Sequence, residues 1–190
     1  MPNYCYYQMK VVGKKENVEE FIKVMQADYD YSEMKFSFDR HMGGRVFEAY
    51  VDEFKEIEKG NYAALISGDC AWSVVCCMFD GALTYHNDLK TRHPENCKST
   101  TIPIESENLD LDIEIFSEES GMCFQEHYLV RKGVIEIDDC VDYNEYYVEE
   151  YATKEEAEEE LEIEITDEEW EYAQKECSFS RGGLEWDFEI

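Results

Sequence analysis

The residue types best suited to chemistry stand together in the segment Ile-Ser-Gly-Asp-Cys-Ala-Trp-Ser at positions 66–73. This segment has the pattern of a strand that enters a helix. Asp69, Trp72 and Ser73 would then lie at the carboxyl end of the strand, beside helix-start N–H groups that can bind an anion. The alternative is that Ser73 or Asp69 caps the helix and Trp72 packs against the sheet, and capping alone explains these residue types. The segment therefore predicts a ligand pocket at Asp69, Trp72 and Ser73, with a structural role as the alternative.

The cysteines and histidines lack the spacing of a metal site or an activated nucleophile. Cys76 and Cys77 are adjacent, and adjacent helical positions point about 100° apart, whereas cysteines in zinc sites are separated by about two to four residues. His93 and Cys97 stand one helical turn apart, but Pro94 between them argues against a regular helix. No nucleophile elbow, phosphate-binding loop or His-Glu-x-x-His motif is present. We therefore expect no catalytic residue, no metal and no cofactor, and we expect reduced, buried thiols.

Calcium is a further candidate because carboxylates are dense in the second half of the chain. Asp110, Asp112 and Glu114 alternate with apolar residues, and a second group follows at 138–142. A twelve-residue calcium loop needs ligands at alternate positions around a central Gly, and neither group has that arrangement. Alternation on a strand exposes carboxylates to water equally well, so the pattern favours a solvated strand.

Two acidic runs, at 155–165 and 167–172, are the remaining signal. Their ordinary interpretation is a solvated helical face with Ala157, Leu161, Trp170 and Ala173 turned inward. That interpretation leaves the scarcity of basic residues unexplained, because an exposed helix normally pairs Glu with Lys for about 0.2–0.5 kcal/mol per pair. The hypothesis is that these carboxylates bind a basic partner. The candidate residues are Glu149, Glu150, Glu155, Glu156, Glu158, Glu159, Glu162, Asp167 and Glu168.

The distribution of charge supports that hypothesis. The formal net charge is −29. Residues 1–100 carry 12 Lys and Arg against 16 Asp and Glu, whereas residues 101–190 carry 5 against 30. Such an excess opposes compaction and serves solubility, ion binding or a basic partner. Direct nucleic-acid binding is disfavoured, since no Lys/Arg cluster is available to neutralise phosphates.

Hydrophobic periodicity predicts an α+β chain in the order β-α-β-β-α-β, followed by an acidic hairpin and acidic helices. Lys132-Gly133 is the expected hairpin turn, and Thr153 with Glu156 forms a capping box. The expected strands are 4–12, 45–54, 62–67, 111–116, 124–131 and 134–138, with an extension over 140–148 and a short alternating segment at 184–190. The expected helices are 16–26, 73–83, 102–109, 154–161 and 167–175.

The length of 190 residues suits one domain with an appendage. We expect an α+β domain over 1–150 and an acidic helical extension with a terminal strand over 151–190. The start has neither the basic nor the apolar region of a signal peptide, and no stretch has the ~18 apolar residues of a membrane span. These features predict a cytoplasmic protein with no membrane partner.

Three short blocks of this chain resemble one protein family. Met1-Pro-Asn-Tyr-Cys-Tyr with Gly13 and the helix at 18–21 is similar to the opening of the YubB-type ferredoxin-like proteins. The segments 70–73 and 116–124 resemble that family's Thr-Ala-Trp-Ser segment and its aromatic, acidic, Gly, aromatic segment. Tyr4 stands where the family usually has Trp, and Val74-Val75 where it has Pro-Pro. The resemblance spans about residues 1–135; it implies a ferredoxin-like sheet with helices on one face and a setting in phages and plasmids, and it transfers no catalytic residue.

Two functions remain open from the sequence. The first is a non-enzymatic module of a mobile genetic element whose carboxylates imitate nucleic-acid charge and inhibit a basic host protein, of an anti-restriction or anti-CRISPR type. The second is a small-ligand-binding protein or enzyme with a pocket near Trp72, in which the charge serves only solubility.

Overall fold

The computed structural model describes residues 3–30, 32–33, 35–42, 45–79, 99–122, 124–142, 151–162, 164–168, 170–171 and 188–190. Within these ranges the chain is a mixed α+β fold on a six-stranded sheet, with two small two-stranded sheets beside it. The strands are β1 (Tyr4–Lys14), β2 (Tyr29–Asp30), β3 (Lys35–Phe36), β4 (His41–Met42), β5 (Tyr50–Glu58), β6 (Asn61–Ala71), β7 (Ser99–Thr100), β8 (Asp112–Glu119), β9 (Phe124–Arg131) and β10 (Val134–Asp142). The helices are α1 (Lys15–Met25), α2 (Ile102–Asn108) and α3 (Lys154–Leu161), with a π-helical turn at Val75–Phe79.

The six strands of the large sheet lie in the order β10-β9-β8-β1-β6-β5, and each neighbouring pair is antiparallel. β1 is central, and its Met9 lies opposite Ile66 of β6 on one side and Ile115 of β8 on the other. Burial along β1 alternates, as a strand with one core-facing side requires. Its aromatic and β-branched residues predicted this strand, which continues to Lys14.

The main hydrophobic core of the described residues lies between one face of this sheet and α1, α2 and the π-helical turn. Helix α1 presents Val18, Phe21, Val24 and Met25 to the core, while Ile22 is only half-buried. The spacing i, i+3, i+4, i+7 predicts an apolar stripe of Val18, Phe21, Ile22 and Met25, and three of these four residues are buried. The sheet contributes alternate residues, which are Cys5, Tyr7, Met9 and Val11 from β1, Ile66 and Cys70 from β6, and Ile113 and Ile115 from β8.

Local turn chemistry fixes the late hairpin. Lys132 and Gly133 have φ of 49° and 85°, and positive φ at both central residues is the turn that matches the twist of paired strands. Glycine adopts such angles without steric cost. The predicted Lys132-Gly133 hairpin is confirmed, because Arg131 and Val134 pair across it.

The predicted strand at 45–54 is wrong in its first half. Strand β5 begins at Tyr50, and residues 45–49 run beside β6 through a single bridge, Val46 to Cys70. Both Phe47 and Glu48 donate their N–H to the Asp69 carbonyl, at 2.8 and 3.3 Å. This segment therefore bulges instead of continuing the ladder.

The other differences lie at element ends. The predicted helix at 73–83 is a π-helical turn as far as Phe79, with Val74, Cys77 and Met78 buried. Residues 188–190 form no strand pairing in the described part of the chain. The remainder of four predicted elements lies outside the described residues, namely 80–83, 143–148, 172–175 and 184–187.

The acidic extension has a small cluster of its own. Helix α3 has the predicted bounds, and Thr153 caps it by accepting the Glu156 N–H at 3.2 Å. Ala157 and Ile165 are buried there against half-buried Tyr151 and Trp170. The end of the chain lies on the sheet face opposite α1, where Glu189 N–H donates to Glu114 Oε2 at 2.6 Å.

Candidate functional site

Strand β6 ends in a strained turn at Trp72. Trp72 has φ of 68°, and the Ser73 N–H donates to the Ala71 carbonyl at 2.9 Å. A hydrogen bond across one residue of positive φ defines the rare, strained form of the γ-turn. The Trp72 N–H donates to the Asn3 carbonyl at 3.0 Å, so the N-terminal segment holds the turn in place. Strained backbone on a bulky residue persists only where its surroundings fix it, and such residues cluster at functional sites.

Ser73 caps the short helix that follows. Its hydroxyl accepts the Cys76 N–H at 3.2 Å, and its carbonyl accepts the Cys77 N–H at 3.2 Å. The structural alternative for Ser73 is thus confirmed. Trp72, in contrast, does not pack wholly against the sheet, because half of its surface remains exposed. The Arg45 guanidinium lies 5.3 Å from the centroid of the Trp72 ring, within cation–π range.

The predicted anion site at this helix start is wrong, because the protein supplies its own anion. The carboxylate of Glu126 is 1% exposed and accepts the N–H groups of Val74 at 2.8 Å and Val75 at 3.3 Å. The Ser117 hydroxyl donates to it at 2.6 Å and the Tyr128 hydroxyl at 3.3 Å. A buried carboxylate that receives this many donors is satisfied without a counter-ion.

Glu126 was not predicted as a site residue from the sequence. One signal was available, since Glu126 stands between Phe124 and Tyr128 at the inward positions of the β9 alternation. A charged residue at an inward position is costly unless it is hydrogen-bonded. Its two backbone donors, however, Val74 and Val75, lie about fifty residues away in sequence, and local patterns do not reveal such partners.

A cavity of about 330 Å³ opens beside this turn. Its apolar walls are Trp72, Val75, Met122, Phe124 and Cys140. The polar groups are Asn3, Ser73 and the buried Glu126. Trp72 and Ser73 therefore share a cavity, which lies in the size range of small-molecule sites and has their mainly apolar lining.

Asp69 does not belong to this cavity. It lies opposite Tyr6 on β1, and alternation along β6 turns it to the face away from the core. Burial and the nearby Glu48 carboxylate raise the pKa of Asp69. The prediction that Asp69 joins Trp72 and Ser73 is contradicted by this placement.

Three buried thiols form a cluster under the turn. Cys5 and Cys70 lie directly opposite each other on β1 and β6, and Cys77 donates its thiol proton to the Ala71 carbonyl at 2.9 Å. Hydrogen bonds with Cys5 and Cys77, together with burial, raise the pKa of the Cys70 thiol far above its usual range. Among the residues that the structure describes, no group of three His, Cys, Asp or Glu could hold a metal ion.

The described acidic candidates lie on and around α3. Seven of the nine candidates belong to the described residues, namely Glu155, Glu156, Glu158, Glu159, Glu162, Asp167 and Glu168, while Glu149 and Glu150 lie outside them. Two of them have structural roles, because Glu158 Oε1 accepts the Ile165 N–H at 2.9 Å and Glu156 Oε2 accepts the Ala152 N–H at 3.3 Å. Lys154 contacts Asp167 at 2.7 Å and Glu158 at 4.0 Å.

Two further carboxylates are completely buried and connect separate segments of the chain through hydrogen bonds. Glu105 accepts from Arg40 and from the Thr100 hydroxyl, both at 2.7 Å, and Arg40 also contacts Glu20. Glu114 lies 2.9 Å from His127 Nε2, on the face that carries the end of the chain. These carboxylates are enclosed by their partners, so they are not part of the acidic surface.

The described segments contain no helix that is long and apolar enough to cross a membrane.

The described residues offer two candidate sites, the cavity at Trp72 and the acidic surface of α3. In comparisons with known proteins, the chain matches no family model, no curated protein and no solved structure.

Proposed function

We propose that this chain is a cytoplasmic, non-enzymatic module of a mobile genetic element that binds a basic protein through its acidic extension. The partner in this proposal is a host enzyme that holds nucleic acid, which the carboxylates imitate. The mobile-element setting rests on the resemblance to the YubB-type family. The observation that carries the binding function is the charge of the surface around α3.

That surface has almost no basic side chain. In the described residues 151–171 Lys154 is the one basic residue, and it already contacts Asp167 and Glu158. The other described basic residues of the second half are also paired, Arg131 with Asp112 and Glu136, and Lys132 with Asp110. The charge left for a partner is therefore negative.

The density of carboxylates on α3 approaches that of a duplex. Four exposed glutamates, at 155, 156, 159 and 160, span about 8 Å of helix axis at 1.5 Å per residue, and exposed Glu162 follows the end of the helix. This corresponds to roughly one charge per 2 Å, against one per ~1.7 Å for double-stranded DNA. A protein groove lined with Lys and Arg would meet a comparable row of charges on this helix.

The order of strands supports a ferredoxin-like core. Without β9 and β10, the strands of the sheet lie in the order β8-β1-β6-β5. If these four strands are numbered along the chain as a β-α-β-β-α-β unit, this is the spatial order 4-1-3-2. Helix α1 connects β1 to the β5 hairpin, and the π-helical turn and α2 lie between β6 and β8. We propose residues 1–150 as this domain with its added hairpin and 151–190 as the acidic extension.

The test is capture of a host partner by the chain and by a variant with fewer charges. The variant is E155Q/E159Q/E160Q/E162Q, which spares Glu156 and Glu158 because they hold the backbone. We expect a stoichiometric basic protein that high salt releases and that the variant fails to hold. The matched control is E16Q/D52N/E58Q/E107Q, which removes as many exposed charges elsewhere and should keep the partner. Equal binding by both variants would contradict the α3 surface.

The cavity beside Trp72 favours a second function, the binding of a small ligand. Its volume of about 330 Å³ and its apolar walls are the observation behind this proposal. Cys140 lines the cavity and Cys76 is exposed outside it. A compound that occupies the cavity should slow alkylation of Cys140 and leave Cys76 unchanged, as peptide mapping would measure. Equal protection of both thiols would contradict occupation of the cavity.

A further inference from the structure

The polar groups of the cavity beside Trp72 point to one class of ligand. Among the described residues that line the cavity, Glu126 is the one with a charged side chain, and its oxygens accept the Val74 and Val75 N–H groups. Backbone N–H groups that point at a carboxyl favour negative charge on its oxygens. None of the described lining residues is a Lys or an Arg. A negative charge thus stands in its wall, and an anionic ligand would be repelled.

The walls also suit a cation. Trp72 and Phe124 supply aromatic rings, and a Trp face is the best cation–π acceptor among side chains. The Arg45 guanidinium lies 5.3 Å from the Trp72 centroid, so a cation in the cavity would contact the part of the ring that Arg45 leaves open. Met122 adds a polarisable thioether at the mouth, where it is 64% exposed.

A strongly hydrated cation does not suit this cavity, because most of its wall is apolar. An alkylated ammonium carries its charge under methyl groups, so it loses less hydration and contacts apolar walls well. We propose that the cavity binds a small organic cation of this class, such as a quaternary ammonium compound. This inference rests on the proposed ligand-binding function of the cavity and names its ligand class.

The γ-turn at Trp72 determines where the ring of this residue lies. With φ of 68°, Trp72 turns away from the course of β6, and Asn3 holds that turn through the Trp72 N–H. A glycine would adopt this angle without strain. The strained tryptophan therefore retains an aromatic ring at a position where the backbone alone favours glycine.

The experiment compares choline with 3,3-dimethylbutan-1-ol, its uncharged isostere, by calorimetric titration. At physiological ionic strength, where the Debye length is ~8 Å, long-range attraction to the acidic chain is largely screened. We expect choline to bind about tenfold more tightly than the isostere, which corresponds to a cation–π contribution of ordinary size. Equal binding of both compounds would overturn the cation proposal and leave ligand binding intact. Binding of neither would overturn both.

Two variants separate the cavity from general attraction to negative charge. Trp72→Gly keeps the net charge and suits the backbone angle, and it should lose choline binding by at least about tenfold. Phe124→Leu keeps an apolar wall and should weaken choline while sparing the isostere. The control is Trp170→Phe, which removes a tryptophan of the α3 cluster and should change neither titration. Choline binding that survives Trp72→Gly unchanged would show that the cavity is not the site.

Discussion

Position 68 has no room for a side chain larger than that of glycine, because the Glu48 carbonyl oxygen lies 1.9 Å from where a Cβ of Gly68 would be. The Tyr7 hydroxyl also lies close to this Cβ position, and it donates to the Glu48 carbonyl oxygen at 2.7 Å. This contact attaches the bulged segment before β5 to the centre of the sheet. Neither neighbour can withdraw easily, since one is backbone and the other is a buried ring.

Gly68→Ala should therefore destabilise the protein by about 3 kcal/mol or more, because the backbone of the bulge must move. Urea denaturation measures the change. Gly121→Ala is the matched control, since the nearest atom to its Cβ, at 3.0 Å, is the flexible end of Glu119, and it should cost less than about 1 kcal/mol. Similar losses for the two variants would contradict a backbone clash at Gly68.

Asp69 follows Gly68 in the chain, and we expect it to make the stability of the protein depend on pH. Burial and Glu48 raise the pKa of Asp69 in the folded protein, so the folded state holds this proton more tightly than the unfolded chain does. The free energy of unfolding therefore decreases as the pH rises from the pKa of Asp69 in the unfolded chain to its higher pKa in the folded protein. This loss of stability persists at neutral pH. Asp69→Asn should raise Tm by about 1–3 °C at neutral pH and change nothing in strong acid. A stabilisation that is the same at every pH would contradict this cause.

At the scale of elements, Glu126 joins strand β9 to the start of the π-helical turn. Its two oxygens accept the Val74 and Val75 N–H groups as well as two hydroxyl protons. Glu126→Gln keeps the shape but turns an NH₂ group toward donors, so one or more of them loses its acceptor. An unsatisfied buried donor costs about 1–3 kcal/mol.

We expect Glu126→Gln to lower the free energy of unfolding by about 2 kcal/mol and to speed hydrogen exchange at the Val74 and Val75 amides. The matched control is Glu136→Gln on the adjacent strand, an exposed residue in an ion pair with Arg131. Surface pairs of this kind contribute about 0–1 kcal/mol, and its variant should leave those amides protected. Unchanged exchange at Val74 in the Glu126 variant would argue against the carboxylate as the cap.

Elements with local causes could be predicted from the sequence, and contacts between distant segments could not. Helix α1, the Lys132-Gly133 turn and the Thr153 cap depend on neighbours within a few residues, and the structure has each of them. Trp72 and Ser73 line the same cavity, because they follow one another at a strand end. Glu126 and the exclusion of Asp69 depend on strand pairing, and the positive φ of Trp72 depends on Asn3. No pattern within one segment contains that information.

At the scale of the molecule, the stability of the chain should depend on salt through its charge of −29. Like charges oppose compaction, and the Debye length falls from ~30 Å at 0.01 M to ~3 Å at 1 M salt. Buried pairs such as Arg40–Glu105 are screened much less. Added NaCl should therefore raise Tm, by about 3 °C for each kcal/mol of repulsion that it screens.

The position of the repulsion can be tested with the same two charge variants. Because most of the surplus charge lies after residue 100, E155Q/E159Q/E160Q/E162Q should flatten the dependence of Tm on NaCl more than E16Q/D52N/E58Q/E107Q does. The first set removes charges from a helix with a single lysine, whereas three of the four charges in the second set, at positions 16, 52 and 58, stand close to a lysine in the chain. A Tm that falls with salt in the parent protein would mean that exposed ion pairs outweigh net repulsion. In that case the acidic surface would carry no folding cost, and selection for a partner would not be needed to explain it.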